Sequence, residues 1–119
     1  MKIDSITMRE IRMPLVHFFE TSFGRTTERC IILLEIESQG LTGWGECVAG
    51  EHPFYSEECI DTAWPILANE LIPAVLGQKI FFATDVVSLL ARVRGNRMAK
   101  SSIEKALSRL TIGVLCWTV

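Results

Sequence analysis

The segment ERCIILLEIE (residues 28–37) constrains the fold more than any other part of the chain. From the cysteine onward every second residue is apolar, while Glu35 and Glu37 fall on the opposite face. This period of two predicts a β-strand. Ile31 and Leu33 are also apolar, so we expect the first half of the strand to be covered on both faces.

The next residues predict that this strand belongs to an antiparallel hairpin. SQG (residues 38–40) supplies a glycine-containing turn, and LTGWGECV (residues 41–48) returns as a second strand. Gly43 and Gly45 flank Trp44, and glycines inside a strand indicate a bulge or the close approach of another backbone.

An earlier strand is predicted over residues 2–13. Ile6 and Met8 share one face, whereas apolar residues nearer the ends share the other, which indicates a bulge or bend in mid-strand. Pro14 is expected to end this strand. LVHFFETSFGR (residues 15–25) then has the aromatic content of a functional or packed loop.

Helices occupy the rest of the chain. The first is expected after a loop at residues 49–55, with Ser56 as N-cap and Glu57 and Glu58 in the first turn. Pro65 predicts a kink near Trp64 or two short helices. The apolar stripe of this first helical segment consists of Ile60, Ala63, Trp64, Leu67 and Leu71.

Two further helices are expected before residue 119. Thr84 or Asp85 caps the second, and Gly95 ends it. The third starts near Asn96, with Ile103, Ala106, Leu107 and Leu110 at helical spacing. A three-stranded antiparallel meander followed by about three helices is an α+β fold.

Composition narrows the class of protein. The 119 residues allow one domain, and 49% hydrophobic residues suffice for a core. Of the 12 Lys and Arg, 6 lie in residues 92–119 beside Glu104 alone. Nucleic-acid binding by this basic stretch is disfavoured, because no stacking aromatics are interleaved with it. A solvated face or an interface explains it better.

Four cysteines without a CxxC pair, a charged N-terminus and no apolar run of membrane-spanning length predict a cytoplasmic protein with reduced cysteines. A zinc site combining these cysteines with His17 and His52 matches no standard spacing.

Motif searches find no chemistry that the chain could perform alone. The GxSxG, P-loop and GxGxxG patterns are absent. Glu46, Glu51 and Asp61 give one carboxylate per segment, which is no cage for a hard cation. His17 and His52 are better explained as solvated loop histidines than as acid–base groups. We therefore predict no catalytic and no metal-binding residue.

Four motifs nevertheless resemble one family. MPLVHFFETSFG (13–24), GWGECV (43–48), PFYSEE (53–58) and GNRMAKSSIEKAL (95–107) together resemble the N-terminal part of the enolase superfamily. The resemblance is to the o-succinylbenzoate synthase and N-acylamino acid racemase group within the muconate-lactonizing branch.

The resemblance implies a capping domain over the mouth of a (β/α) barrel. Two of its loops would shape the pocket for a small carboxylate substrate, and Phe19, Ser22, Phe23 and Gly50 would bind it. Relatives with a larger side chain at the position of Gly50 imply a wider pocket here.

The resemblance also divides the chain and assigns the chemistry elsewhere. Residues 1–95 would form the capping domain, and residues 96–119 would start the helix that leads to the barrel, with a divergent or truncated tail. Base lysines and acidic ligands of a divalent ion, Mg²⁺ or another, would lie on the barrel, so the chain alone is expected to be inactive. The alternative is a free-standing interaction module that associates with itself or a partner through an exposed apolar surface.

Overall fold

The computed structural model describes residues 2–21, 24–50, 52–53, 57–81 and 85–118. Three strands, β1 (Ser5–Thr21), β2 (Gly24–Ser38) and β3 (Leu41–Cys47), form an antiparallel sheet in the order β1-β2-β3. Helices follow the strands in sequence. The predicted α+β meander is confirmed.

The turn between β2 and β3 has positive φ at both central residues, a conformation that glycine adopts easily and glutamine rarely. Ser38 pairs with Leu41, and Gln39 and Gly40 between them have φ angles of 54° and 78°. Positive φ at both central residues is the type I′ arrangement, whose twist matches that of the flanking strands. The predicted hairpin is therefore present.

β1 differs from its predicted form. It pairs with β2 without interruption from Ser5 to Pro14, and the register shifts only between Pro14 and Phe19. The paired residues from Ser5 to Pro14 contain no bulge, and the strand end expected at Pro14 is wrong. The alternative of a bend in mid-strand stays a prediction. Since β1 is an edge strand, a proline without an N–H can remain in it.

The first helical segment is interrupted, as Pro65 predicts. α1 (Ile60–Ile66) contains Pro65 and passes into a π-helical turn (Leu67–Leu71), which continues as α2 (Ile72–Val75). In the π turn an N–H donates to the carbonyl five residues earlier, as the N–H of Ile72 donates to that of Leu67. The N-cap of α1 is Cys59, so the expectation that Ser56 caps this helix, with Glu57 and Glu58 in its first turn, is wrong.

α3 (Val86–Leu90) and α4 (Arg97–Thr118) complete the fold. Asp85 occupies the N-cap position of α3 but its side chain makes no capping hydrogen bond, and Thr84 lies outside the described residues. α3 ends at Leu90, so the helix end predicted at Gly95 is wrong. Gly95 has a φ of 64° between the two helices, in the left-handed region that glycine adopts most easily.

One apolar core lies between the helices and one face of the sheet. Its fully buried side chains come from both layers, and Trp64 is the predicted member that fails to join them, with 37% of its surface exposed. The buried set includes Ile32, Leu34, Ile36, Leu67, Leu71, Ile103, Leu107 and Leu110.

β3 and α4 approach so closely that two positions on the inner face of β3 have no room for a side chain. A Cβ added to Gly45 would lie 1.9 Å from the carbonyl oxygen of Ser102, and one added to Gly43 would lie 2.1 Å from that of Ala106. These contacts are with backbone, which cannot swing away. The close backbone approach predicted for the two glycines is confirmed.

The outer face of the sheet is partly polar. Arg9 forms an ion pair with Glu35, and its guanidinium lies 5.8 Å from the ring centroid of Trp44. Ile31 is 5% exposed on this face, which confirms the expectation that the first half of β2 is covered on both sides.

Candidate functional site

The two segments predicted to contact substrate lie at the same end of the sheet. The last β2–β3 pair is Ile32 with Cys47, whereas β1 and β2 continue to the pair Thr21–Gly24. The β1–β2 hairpin therefore projects beyond β3. The Gly50 loop (residues 48–53) leaves β3 at this same end.

Phe19 lies in the projecting hairpin. Its backbone is paired with Thr26 in the sheet, and its side chain lies outside the described part of the structure. Ser22 and Phe23 lie outside the described residues altogether. The first predicted loop is thus largely two paired strands, which fix its direction relative to the sheet.

Gly50 is held by main-chain contacts. It forms a parallel bridge with Cys59, and the N–H of Ile60 donates to its carbonyl oxygen at 2.8 Å. A Cβ at Gly50 would meet only the carbonyl oxygen of His52, at 3.7 Å, an ordinary contact distance. A methyl group would therefore fit here without displacing the backbone.

α4 also begins at this end of the sheet. Gly45 faces Ser102 and Gly43 faces Ala106, so α4 runs antiparallel to β3. The first turn of α4 therefore lies beside the end of β3 from which the Gly50 loop departs.

Glu58 connects the two. The N–H of Met98 donates to both carboxylate oxygens of Glu58, at 3.1 and 2.9 Å, and the N–H of Ala99 donates to one of them at 3.2 Å. These N–H groups are in the first turn, where a helix has no internal acceptor for them. Negative charge is also favourable at a helix N-terminus. Glu58 is therefore the cap of α4. It is also buried, with only 6% of its surface exposed.

Sequence reasoning placed Glu58 in the first turn of α1 and missed this role. Asn96 is the local residue that favours capping, but it has a φ of 55° and its side-chain amide donates to the carbonyl of Arg94. No local pattern marks Glu58, because its partners lie 40 and 41 positions later in the chain.

Cys47, at the end of β3, is affected by the same carboxylate. Burial raises the pKa of its thiol above the ordinary value of 9.0, and the charge of Glu58 adds to the increase. A hydrogen bond with the backbone of Ala49 acts in the opposite direction. A thiol that resists ionisation is a poor nucleophile and a poor metal ligand.

The described residues do not fit a divalent ion. No group of three or more His, Cys, Asp or Glu side chains converges anywhere in the ranges that the structure describes. Cys30, Cys47 and Cys59 are separately buried and free of disulfides. Of the described helices, none is long and apolar enough to span a membrane.

Comparison with known families places the whole arrangement. Residues 3–111 match the family described as Mandelate racemase / muconate lactonizing enzyme, N-terminal domain. The chain belongs to this family. It is thus an N-terminal domain of the enolase superfamily, as its motifs suggested.

Individual members of the superfamily show the same relationship. An N-succinylamino acid racemase from Amycolatopsis is 42% identical over 107 residues, which are 90% of this chain and 29% of that protein. The o-succinylbenzoate synthase of Bacillus subtilis is 38% identical over 107 residues, covering 89% of this chain and 29% of that protein. The chain therefore spans less than a third of the length of these relatives.

A solved structure extends the agreement to three dimensions. The N-succinyl Arg/Lys racemase of Bacillus cereus superposes with a TM-score of 0.87 at 28% identity, covering 97% of this chain and 31% of that one. The strands, helices and their connections are thus those of an enolase-superfamily N-terminal domain.

Proposed function

We propose that the chain is the substrate-capping domain of an enzyme that acts as an N-acylamino acid racemase or an o-succinylbenzoate synthase. The observation that supports this most is that the β1–β2 hairpin and the Gly50 loop lie at one end of the sheet, in a domain that matches relatives of both names. Such an end can close over a pocket in another domain.

In this proposal the chain shapes the pocket and excludes water from it, while residues of a barrel domain perform the chemistry. The superfamily is generally dependent on a divalent metal, which here would be Mg²⁺ held by a barrel domain. The described part of this chain offers no ligand set for it. Its contribution is exclusion of water, which strengthens electrostatic interactions inside a closed site. A cytoplasmic location in quinone or amino-acid metabolism accompanies this proposal.

Phe19, Ser22, Phe23 and Gly50 would face the substrate. Phe19 and Phe23 supply apolar surface in the hairpin, and Ser22 supplies a hydroxyl for a polar group of the substrate. Gly50 would determine the space available to the acyl group, because a Cβ at this position makes only an ordinary contact, 3.7 Å from the carbonyl oxygen of His52.

Gly50→Met tests this assignment in a fused enzyme. Residues 1–111 of the chain would be joined to the remainder of the Bacillus subtilis relative and assayed with N-succinyl and N-acetyl forms of one amino acid. Filling the pocket at Gly50 should disfavour the larger acyl group, changing the ratio of the two kcat/KM values by about tenfold or more.

Val87→Met is the matched control, because Val87 is 55% exposed on α3 and lies outside both substrate segments. It should leave the ratio unchanged. Equal ratios in the parent enzyme and in Gly50→Met would refute the role of the Gly50 loop. Self-association through exposed apolar side chains such as Phe81, which is 74% exposed, remains a separate prediction for sedimentation analysis.

A further inference from the structure

The Gly50 loop is connected to the segment before α1 by main-chain contacts, with Gly50 in a parallel bridge with Cys59. Its described hydrogen bond to the following helix is the one from the N–H of Ile60 to the carbonyl of Gly50. The position of the loop therefore depends on what holds the segment before α1. That segment contains Glu58, which is next to Cys59, the N-cap of α1.

Glu58 lies next to three parts of the domain. Its carboxylate accepts the N–H groups of Met98 and Ala99 at the start of α4. It is near enough to Cys47 at the end of β3 to raise the pKa of that thiol. It is covalently next to Cys59, whose backbone forms the bridge to Gly50.

We propose that Glu58 is a positioning residue, which holds the Gly50 loop at its place over the substrate by capping α4. This rests on the proposed function, because it assigns to the loop a role in binding substrate. α4 is fixed against β3 because the backbones of the two elements are in close contact at Gly43 and Gly45. Glu58 transfers that fixed position to the segment that carries Gly50.

The proposal separates two roles that a buried carboxylate can have. A residue that stabilises only α4 would, when removed, loosen the N–H groups of Met98 and Ala99 and nothing else. Removing a residue that positions the loop would also loosen the N–H of Ile60, which donates to the carbonyl of Gly50 and not to the carboxylate.

Hydrogen exchange on the complete 119-residue chain distinguishes them. In Glu58→Ala, amide exchange at Met98, Ala99 and Ile60 should become about five- to tenfold faster, the factor that loss of a helix cap produces. Glu58→Gln keeps an oxygen acceptor and the side-chain volume, so it should restore a large part of the protection and guards against a variant that fails to fold. Glu57→Ala is the matched control, since Glu57 is the adjacent, exposed carboxylate.

Faster exchange at Met98 and Ala99 with unchanged exchange at Ile60 would overturn the proposal and leave Glu58 a cap of α4 only. Exchange at all three amides that matches the Glu57→Ala chain would overturn it as well. In the fused enzyme, Glu58→Ala should raise KM several-fold more than it lowers kcat, and a fall in kcat at unchanged KM would contradict positioning.

The outcome is separable from that of the proposed function. Exchange measures anchoring of the loop without substrate, whereas Gly50→Met measures selectivity without altering the anchor. If the acyl preference stays constant in Gly50→Met while Glu58→Ala loosens Ile60, the capping function fails and the mechanical link between α4 and the loop stands.

Discussion

Two buried or partly buried carboxylates show how differently one residue type contributes to this domain. Glu35 pairs with Arg9 on the outer face of the sheet, where Arg9 is 49% exposed. Exposed pairs of this kind contribute at most about 1 kcal/mol. Glu58 accepts three backbone N–H bonds in the interior. Loss of such a cap costs about 0.5–2 kcal/mol, with more when buried donors are left without acceptors.

Cys47 predicts an alkaline dependence of stability. Because its pKa is raised in the folded state, the neutral thiol contributes stability at pH values below about 9, where thiols are protonated in the unfolded chain as well. That contribution is lost as the pH rises through the folded-state pKa. Cys47→Ala should therefore lose less stability between pH 7 and pH 10 than the parent chain, as measured by urea denaturation at both values.

Comparing each protein with itself at the two pH values cancels the packing that the substitution removes. Identical losses in the two chains would show that Cys47 ionises as readily when folded as when unfolded.

At the scale of elements, the docking of α4 on β3 depends on absent side chains. Gly45→Ala should destabilise the domain by about 1–3 kcal/mol, because its methyl would overlap the backbone of Ser102. The opposing gain from a less flexible unfolded chain is only about 0.4–1 kcal/mol. The free energy of unfolding from urea titration, followed by circular dichroism, measures the difference.

Gly50→Ala serves as the control for this substitution, since its added methyl meets no atom closer than 3.7 Å. It should change the free energy of unfolding by less than about 1 kcal/mol. Equal effects of the two alanines would mean that α4 can move away from β3 at little cost.

Elements with a local cause were predictable from the sequence. The β2–β3 turn follows from Gly40, which accepts positive φ, whereas the positive φ of Gln39 has no such local cause. The buried face of α4 follows from helical spacing. The fate of Pro14 was not predictable from neighbours, because it depends on β1 being at the edge of the sheet. Trp64 has the correct spacing for the stripe, but its size prevents complete burial at the margin of the core.

The candidate site divides in the same way. Family motifs pointed to Phe19, Ser22, Phe23 and Gly50, and the structure brings the backbones of Phe19 and Gly50 to one end of the sheet. Glu58 was missed because its partners are distant in sequence. Contacts over 40 positions depend on the packed helices and have no counterpart in local spacing.

For the whole molecule, the distribution of chemistry predicts the behaviour of the isolated chain. Purified and supplied with Mg²⁺, it should neither racemise N-succinylamino acids nor form o-succinylbenzoate, because its described residues place no metal ligands together. Optical rotation follows the first reaction, and ultraviolet absorbance follows the second. The full-length Bacillus subtilis relative under the same conditions is the positive control, and turnover by the isolated chain above the no-protein rate would contradict the prediction.

The docking of α4 on the glycines of β3 also affects how the domain forms during synthesis. The carbonyl of Trp44 receives its hydrogen bond from Arg109, 65 positions later. At about 5–20 residues per second on the ribosome, the interval between the synthesis of Trp44 and that of Arg109 lasts roughly 3–13 s. Throughout it, the hairpin of β2 and β3 is complete but its apolar inner face has no α4 to cover it. The nascent chain thus has a defined window in which a chaperone, or another unfinished copy, can reach that face before its own helix does.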